Sequence, residues 1–131
     1  MPIIKITDAD IQRHKTLEEN WYGVEIIKIS DFLTSSKGDS ANVIFTFLVE
    51  DTNGKEIDRY YNSKAIGMTI PLYEAITGKS VTKAFEFNTE DFLHKKADNK
   101  IKVETFEGRL QNKISDVWLP YGKGKDQKAP F

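Results

Sequence analysis

The fold is decided by residues 42–62, which read NVIFTFLVEDTNGKEIDRYYN. Residues 42–49 are dense in β-branched and aromatic side chains, a composition that predicts a β-strand. Asn53-Gly54 stands between two such runs, and Asn-Gly in that setting is a strong signal for a tight hairpin turn. Residues 55–62 are therefore predicted to return as the partner strand of an antiparallel pair.

The rest of the chain extends this hairpin into a mainly β domain with a helical insert. Residues 21–29 predict a strand before the hairpin. Residues 63–77 then change to a helical pattern that restarts at Pro71 and stops at Gly78. Residues 100–106 and 110–117 predict two more strands, joined by a turn at residues 106–109.

Three strands, a helix and two strands form the element order of a five-stranded Greek-key barrel. The helix lies between the third and fourth strands, as in the oligonucleotide/oligosaccharide-binding (OB) type. Three regions follow from this prediction. Residues 1–20 form a helical or irregular N-terminal extension, residues 21–119 form the OB-type barrel, and residues 120–131 form a flexible basic tail.

Composition excludes several classes of protein. No cysteine is present, so disulfides, thiolate metal sites and cysteine nucleophiles are excluded. No apolar run reaches the roughly 20 residues of a membrane helix, and the N-terminus lacks the pattern of a signal peptide. We therefore expect a cytoplasmic protein without a membrane partner. The 19 basic and 20 acidic residues give a net charge of −1, so any nucleic-acid surface must be a local one.

The sequence offers few groups for catalysis or for a metal. Only two histidines are present. The set of Asp8, Asp10 and His14 is better explained as a capped polar helix, and Glu90 with His94 as an exposed ion pair. No glycine-rich phosphate loop is found. We therefore expect no enzymatic activity, no catalytic residues, no metal and no cofactor.

Aromatic residues stand beside cations at several points. Single-strand binding without sequence preference needs aromatic faces that stack on bases and cations that meet phosphates. In an OB-type barrel the ligand crosses the second and third strands, between the first and last strand loops. The candidates on those elements are Lys37, Arg59, Tyr60, Tyr61, Lys64, Phe106, Arg109, Lys113, Trp118 and Tyr121. They predict sequence-tolerant binding of single-stranded DNA, with a single-stranded RNA ligand left open.

The two adjacent tyrosines cannot share a face, because neighbouring strand residues point in opposite directions. A three-residue loop at residues 52–54 places Tyr61 and Arg59 on the face of Phe45 and Phe47, which are expected in the core. A two-residue turn at Asn53-Gly54 places Tyr60 there instead. The sequence leaves the choice open.

Five segments resemble the small single-stranded DNA-binding proteins of bacteriophage and prophage replication modules. They are residues 17–22 (LEENWY), 35–42 (SSKGDSAN), 59–65 (RYYNSKA), 106–114 (FEGRLQNKI) and 119–120 (LP). The resemblance implies an OB-fold that coats single strands during replication or recombination in a bacterial host. The partners it implies are single-stranded DNA and replication or recombination proteins.

The resemblance also implies which parts of the chain bind. They are the loop around Lys37, the strand end at residues 59–64 and the hairpin at residues 106–113. The alternative function is a protein-interaction or assembly module on the same barrel, without nucleic-acid binding. Dispersed aromatics in a positive groove favour nucleic acid, whereas one contiguous apolar patch favours a protein partner.

Overall fold

The computed structural model describes residues 1–34, 38 and 40–124. The chain is mainly β, and its antiparallel sheet curls into a half-barrel. The strands are β1 (Asn20–Ile29), β2 (Leu33–Thr34), β3 (Ala41–Val49), β4 (Glu56–Asn62), β5 (Lys96–Phe106), β6 (Arg109–Lys113) and β7 (Trp118–Pro120). The α-helices are α1 (Asp8–His14) and α2 (Ile70–Thr77), and 3-10 helices span Ser63–Thr69 and Thr89–Phe92.

The strand β3 is central to the sheet, as its composition predicts. It pairs with β1 on one side and with β4 on the other, while β1 also pairs with β5. Both β6 and β7 pair with β5. The curl of the sheet brings β6 towards β4, so that a seam runs between these two strands.

The inner face of the sheet forms the core. Phe45 and Phe47 are 1% and 0% exposed, which confirms their prediction as core residues. Val43 and Val49 share their face, following the period-two pattern of a strand with one buried side. Residues from the helical segment close this core, including Leu72 and Ala75 of α2.

The predicted helix at residues 63–77 is confirmed as a 15-residue helical segment of two kinds. Its first half is the 3-10 helix Ser63–Thr69, and α2 follows with Pro71 in its first turn. Gly78 ends α2 in the left-handed conformation, with φ of 72°, which a glycine adopts without steric penalty. No helix in the described part of the chain is long and apolar enough to cross a membrane.

The predicted limits of the last two strands are wrong, because β5 starts earlier through its pairing with β1 and a buried amide accounts for the early end of β6. β5 begins at Lys96 rather than residue 100, and β6 ends at Lys113 rather than residue 117. Asn99 is fully buried, and its side chain bonds to the backbone of Ser115 and Val117. These bonds replace strand pairing there, so the chain leaves β6 and re-enters the sheet as β7.

The described parts of the two predicted flanking regions contact the domain. The N-terminal helix is confirmed as α1, where Thr7 and Asp10 form a capping box. Within the predicted flexible tail, Gly124 is buried and its N–H donates to Asp98 Oδ2 at 2.6 Å. Residues 125–131 of that tail lie outside the described residues.

Candidate nucleic-acid interface

An open groove of about 750 Å³ follows the seam between β4 and β6. Residues 55–60 form one wall and residues 109–113 form the other. Four of the sequence-predicted site residues line it: Arg59, Tyr60, Arg109 and Lys113. The fold thus brings together side chains that are 50 residues apart in the chain.

The β3–β4 register decides which of the adjacent tyrosines faces this groove. Phe45 pairs with Arg59 and Val43 with Tyr61, which places Tyr61 on the inner face. Tyr61 is 2% exposed and meets Phe45 edge-on, with ring centroids 5.3 Å apart. Tyr60 is 59% exposed and lines the groove. Tyr60 is therefore the tyrosine with a ring accessible to a ligand, and Tyr61 is a core residue.

Burial also changes the chemistry of Tyr61. Removal from water raises the pKa of its phenol to about 12. Its hydroxyl has no hydrogen-bond partner among the described residues. The hydroxyl is thus a buried polar group without a described hydrogen bond, and it is not accessible to a ligand in the groove.

Arg59 lies on the wall of the groove but faces across the seam. Its Nη1 donates to the carbonyl of Ile114 at 2.9 Å, and its Nη2 donates to Asp116 Oδ1 at 2.8 Å. The guanidinium also lies 4.9 Å from the ring centroid of Tyr61. Only 16% of the side chain is exposed. Arg59 therefore joins β4 to the segment after β6, and its donors are directed at protein rather than at the groove.

The β5–β6 hairpin supplies the other wall. Glu107 and Gly108 form its turn with φ of 51° and 78°, the paired left-handed conformation of a tight hairpin. The turn leaves Phe106 and Leu110 exposed by 58% and 63%. Arg109 pairs with Phe106 in the ladder and has no ion-pair partner among the described residues. The hairpin tip therefore combines an exposed aromatic ring with an available cation.

One end of the groove is closed by residues 13–17, a contact that the sequence did not reveal. Arg13 donates to the carbonyl of Asn53 at 3.1 Å, and Lys55 donates to the carbonyls of Arg13 and Lys15. On the other side, Asn112 exchanges hydrogen bonds with the backbone of Leu17. The N-terminal region thus ties the β3–β4 turn to β6. No local sequence pattern encodes these pairings, which span 40 to 95 residues.

Charges in the groove are balanced. The lysines and arginines of its lining are Lys55, Arg59, Arg109 and Lys113, and its carboxylates are Glu56, Asp58, Glu104 and Asp116. Lys113 lies 3.8 Å from Glu104, and partial burial lowers the pKa of Lys55. Among the basic side chains that line the groove, Arg109 is therefore the one most available to bind a phosphate.

The remaining predicted residues lie elsewhere. Lys37 falls outside the described residues. Lys64 is exposed at the start of the 3-10 helix that follows β4. Trp118 is only 8% exposed and packs 5.3 Å from Phe47, so it is a core residue.

Tyr121 belongs to a second, acidic pocket. It shares this pocket with the carboxylates of Glu50, Asp51 and Asp98. Its hydroxyl donates to Glu50 Oε2 at 2.7 Å, and this bond raises the pKa of the phenol to about 12. Three carboxylates repel a phosphate, so this pocket does not extend the groove towards nucleic acid.

Two of the groups considered for catalysis, Asp10 and His94, have structural partners. Asp10 bonds to Thr7 and Arg13, which confirms the capped polar helix. His94 lies 3.1 Å from Glu25 rather than pairing with Glu90, because it precedes β5 and faces β1. Within residues 1–34, 38 and 40–124, no cluster of three or more His, Asp or Glu side chains has a metal-binding arrangement.

An apolar pocket of about 410 Å³ lies apart from the groove. Val43 and Phe45 of β3 form its buried floor. Phe32, Ile66 and Phe85 form its rim and are exposed by 58%, 41% and 41%. The pocket and the groove share no lining residue.

In comparisons with known proteins, neither a family model nor a curated protein sequence matches this chain.

Proposed function

We propose that this protein binds single-stranded DNA without strong sequence preference in the groove between β4 and β6. The observation that carries the proposal is the exposed ring of Tyr60 in an open groove whose other wall holds Arg109. A ring face and a cation across a groove are the two elements that a single strand needs. Phe106 at the hairpin tip offers a second exposed ring.

The balanced charge of the groove sets the expected character of binding. Arg109 is available for a phosphate, and Lys113 is available once it leaves Glu104. Two neutralised phosphates correspond to a slope of about −1.4 in a plot of log K against log salt. Affinity therefore depends mainly on base stacking, at about 1–3 kcal/mol per base. The binder is expected to be only moderately salt-sensitive.

The finer fold assignment is part of the same proposal. We infer a five-stranded Greek-key barrel of the OB type, formed by β1, β3, β4, β5 and β6 with the helical segment between β4 and β5. The pairing of β1 with both β3 and β5 supports it, as does the Arg59 contact across the seam. A cytoplasmic role in phage or prophage replication or recombination follows from the sequence resemblance.

The test is a titration of a labelled oligothymidine of about 30 nucleotides, followed by fluorescence anisotropy. Both tryptophans are buried, so quenching of their fluorescence is a poor reporter of this groove. Tyr60→Ala is expected to weaken binding by about 5- to 150-fold, the loss of one stacking contact. Arg109→Ala is expected to reduce the salt slope by about 0.7.

Tyr121→Ala is the matched control, since it removes an exposed tyrosine from the acidic pocket. Its affinity should equal that of the wild type. A duplex and a matched ribo-oligonucleotide show whether the protein selects single strands and deoxyribose. No binding to oligothymidine, or equal affinity of the wild type and Tyr60→Ala, would rule out the proposal.

A protein-interaction or assembly module is the second candidate function. The apolar pocket with its exposed rim of Phe32, Ile66 and Phe85 supports it, because contiguous exposed apolar surface marks interaction sites. The two functions use separate surfaces. A failure to bind nucleic acid in the titration would therefore not exclude a protein-interaction function, which needs a separate experiment.

A further inference from the structure

An exposed apolar arm precedes α1. Ile3, Ile4 and Ile6 are exposed by 88%, 81% and 67%. The arm ends at Thr7, whose side chain caps α1. Several large aliphatic residues exposed together are unfavourable in water and mark a segment that contacts another surface.

The apolar pocket is a surface of matching chemistry. Its floor consists of the buried Val43 and Phe45, and its rim is aromatic and aliphatic. The pocket is large enough for two branched aliphatic side chains, since about 410 Å³ exceeds their combined volume. A single charged residue, Glu86, occurs among its described lining residues, and it is exposed.

The arm does not occupy the pocket of its own chain, since no arm residue is among the described lining residues of that pocket. The pocket is at Val43 and Phe45, whereas α1 is fixed through Arg13 to Asn53, in the turn beyond Val49. Val43 and Val49 are six positions apart in β3, a distance of about 20 Å. The arm isoleucines remain exposed in the folded chain. Its own arm therefore does not cover the pocket.

The alternating apolar and basic residues of the arm are complementary to the pocket of another copy. In an extended segment Ile4 and Ile6 point to one side and Lys5 points to the other. With both isoleucines in the pocket, Lys5 remains at the solvent side, where Glu86 is exposed. Opposite charges at the edge of an apolar contact fix its register.

We propose that Ile4 and Ile6 of one copy occupy the apolar pocket of a second copy, with Lys5 beside Glu86. The exchange is reciprocal and gives a two-fold dimer, because a closed symmetric arrangement satisfies both arms and both pockets. The inference does not depend on DNA binding, since the groove and the pocket share no lining residue.

Sedimentation velocity of the purified full chain over a range of concentrations tests the proposal. The wild type should form a dimer in a concentration-dependent manner. Ile4→Glu removes one aliphatic side chain from each of the two pockets, so it should weaken the dimer by about 100- to 10,000-fold. Lys5→Glu and Glu86→Lys each break both symmetry-related ion pairs and should weaken the dimer by about two- to 30-fold, and the combined variant should restore it.

Ile11→Glu is the matched control, because it places the same charge on an exposed isoleucine of α1 outside the arm. It should dimerise like the wild type. Three results would each overturn the proposal: a monomeric wild type, a dimer unaffected by Ile4→Glu, or charge reversal without restoration. Ile4→Glu should keep its affinity for oligothymidine, so failure of the dimer and failure of DNA binding are separate results.

Discussion

Replacing Arg59 tests whether this residue closes the seam of the half-barrel or contacts phosphate. Arg59→Ala leaves the buried carbonyl of Ile114 without its donor, at about 1–3 kcal/mol. The bond to Asp116, whose side chain is 42% exposed, contributes at most about 1 kcal/mol. The contact with the Tyr61 ring adds about 0.5–1 kcal/mol. The free energy of unfolding should therefore fall by about 3 kcal/mol.

Urea denaturation, followed by tryptophan fluorescence, measures the loss in the free energy of unfolding. The same measurement on Asp116→Asn and on the double variant Arg59→Ala/Asp116→Asn gives the interaction energy between the two residues. A coupling energy of about 0.5–1 kcal/mol is expected between the two residues. Arg109→Ala, which removes an exposed arginine, serves as the control and should change stability by less than about 0.5 kcal/mol. Equal stabilities of the Arg59 and Arg109 variants would refute the reasoning.

DNA binding separates the two roles of Arg59 further. If Arg59 only stabilises the shape of the groove, its substitution lowers the affinity for DNA but leaves the slope of log K against log salt unchanged. A phosphate contact lowers the slope by about 0.7. The sequence predicted Arg59 as a contact residue, and the structure directs its donors at Ile114 and Asp116. We therefore expect an unchanged slope in Arg59→Ala and a reduced slope in Arg109→Ala.

Three further outcomes are expected. Gly78→Ala should lower stability by about 1 kcal/mol in thermal unfolding because its φ is 72°, whereas Gly67→Ala, without a positive φ, should not. Tyr61→Phe should leave stability unchanged or raise it in urea denaturation, because it removes a buried hydroxyl without a described partner. The hydrogen bond to Glu50 raises the pKa of Tyr121 to about 12, so the stabilising effect of this bond is complete below pH 10 and is lost as the pH rises towards 12. In the Tyr61→Phe background, Glu50→Ala should lower the pKa of Tyr121 in an absorbance titration.

Local signals determined most of the secondary structure. Residues 50–55 connect β3 to β4, so this connection is longer than the predicted two- or three-residue turn. The two strands of the hairpin nevertheless follow from their β-branched and aromatic runs, and the end of α2 follows from Gly78. The turn at Gly108 was predicted for the same reason. In each case the backbone conformation depends on residues that are adjacent in the chain, so a short window of sequence contains the necessary information.

The limits of β5 and β6 needed the tertiary structure. Asn99 precedes the predicted strand at residues 100–106, yet it is fully buried because its amide bonds to Ser115 and Val117. A polar side chain is buried where partners satisfy it, and those partners lie 16 and 18 residues away. Composition alone therefore placed the strand ends wrongly.

The residues of the candidate site were also determined partly by the sequence and partly by the tertiary structure. The sequence by itself determined which aromatic and basic residues stand near the strand ends, and it restricted the ligand-facing position to one of Tyr60 and Tyr61. The register between β3 and β4 then selected Tyr60, because a shift of one residue exchanges the two faces of a strand. Arg59 faces the seam rather than the groove because its acceptors lie 55 and 57 residues away, and only the curled sheet brings them within bonding distance.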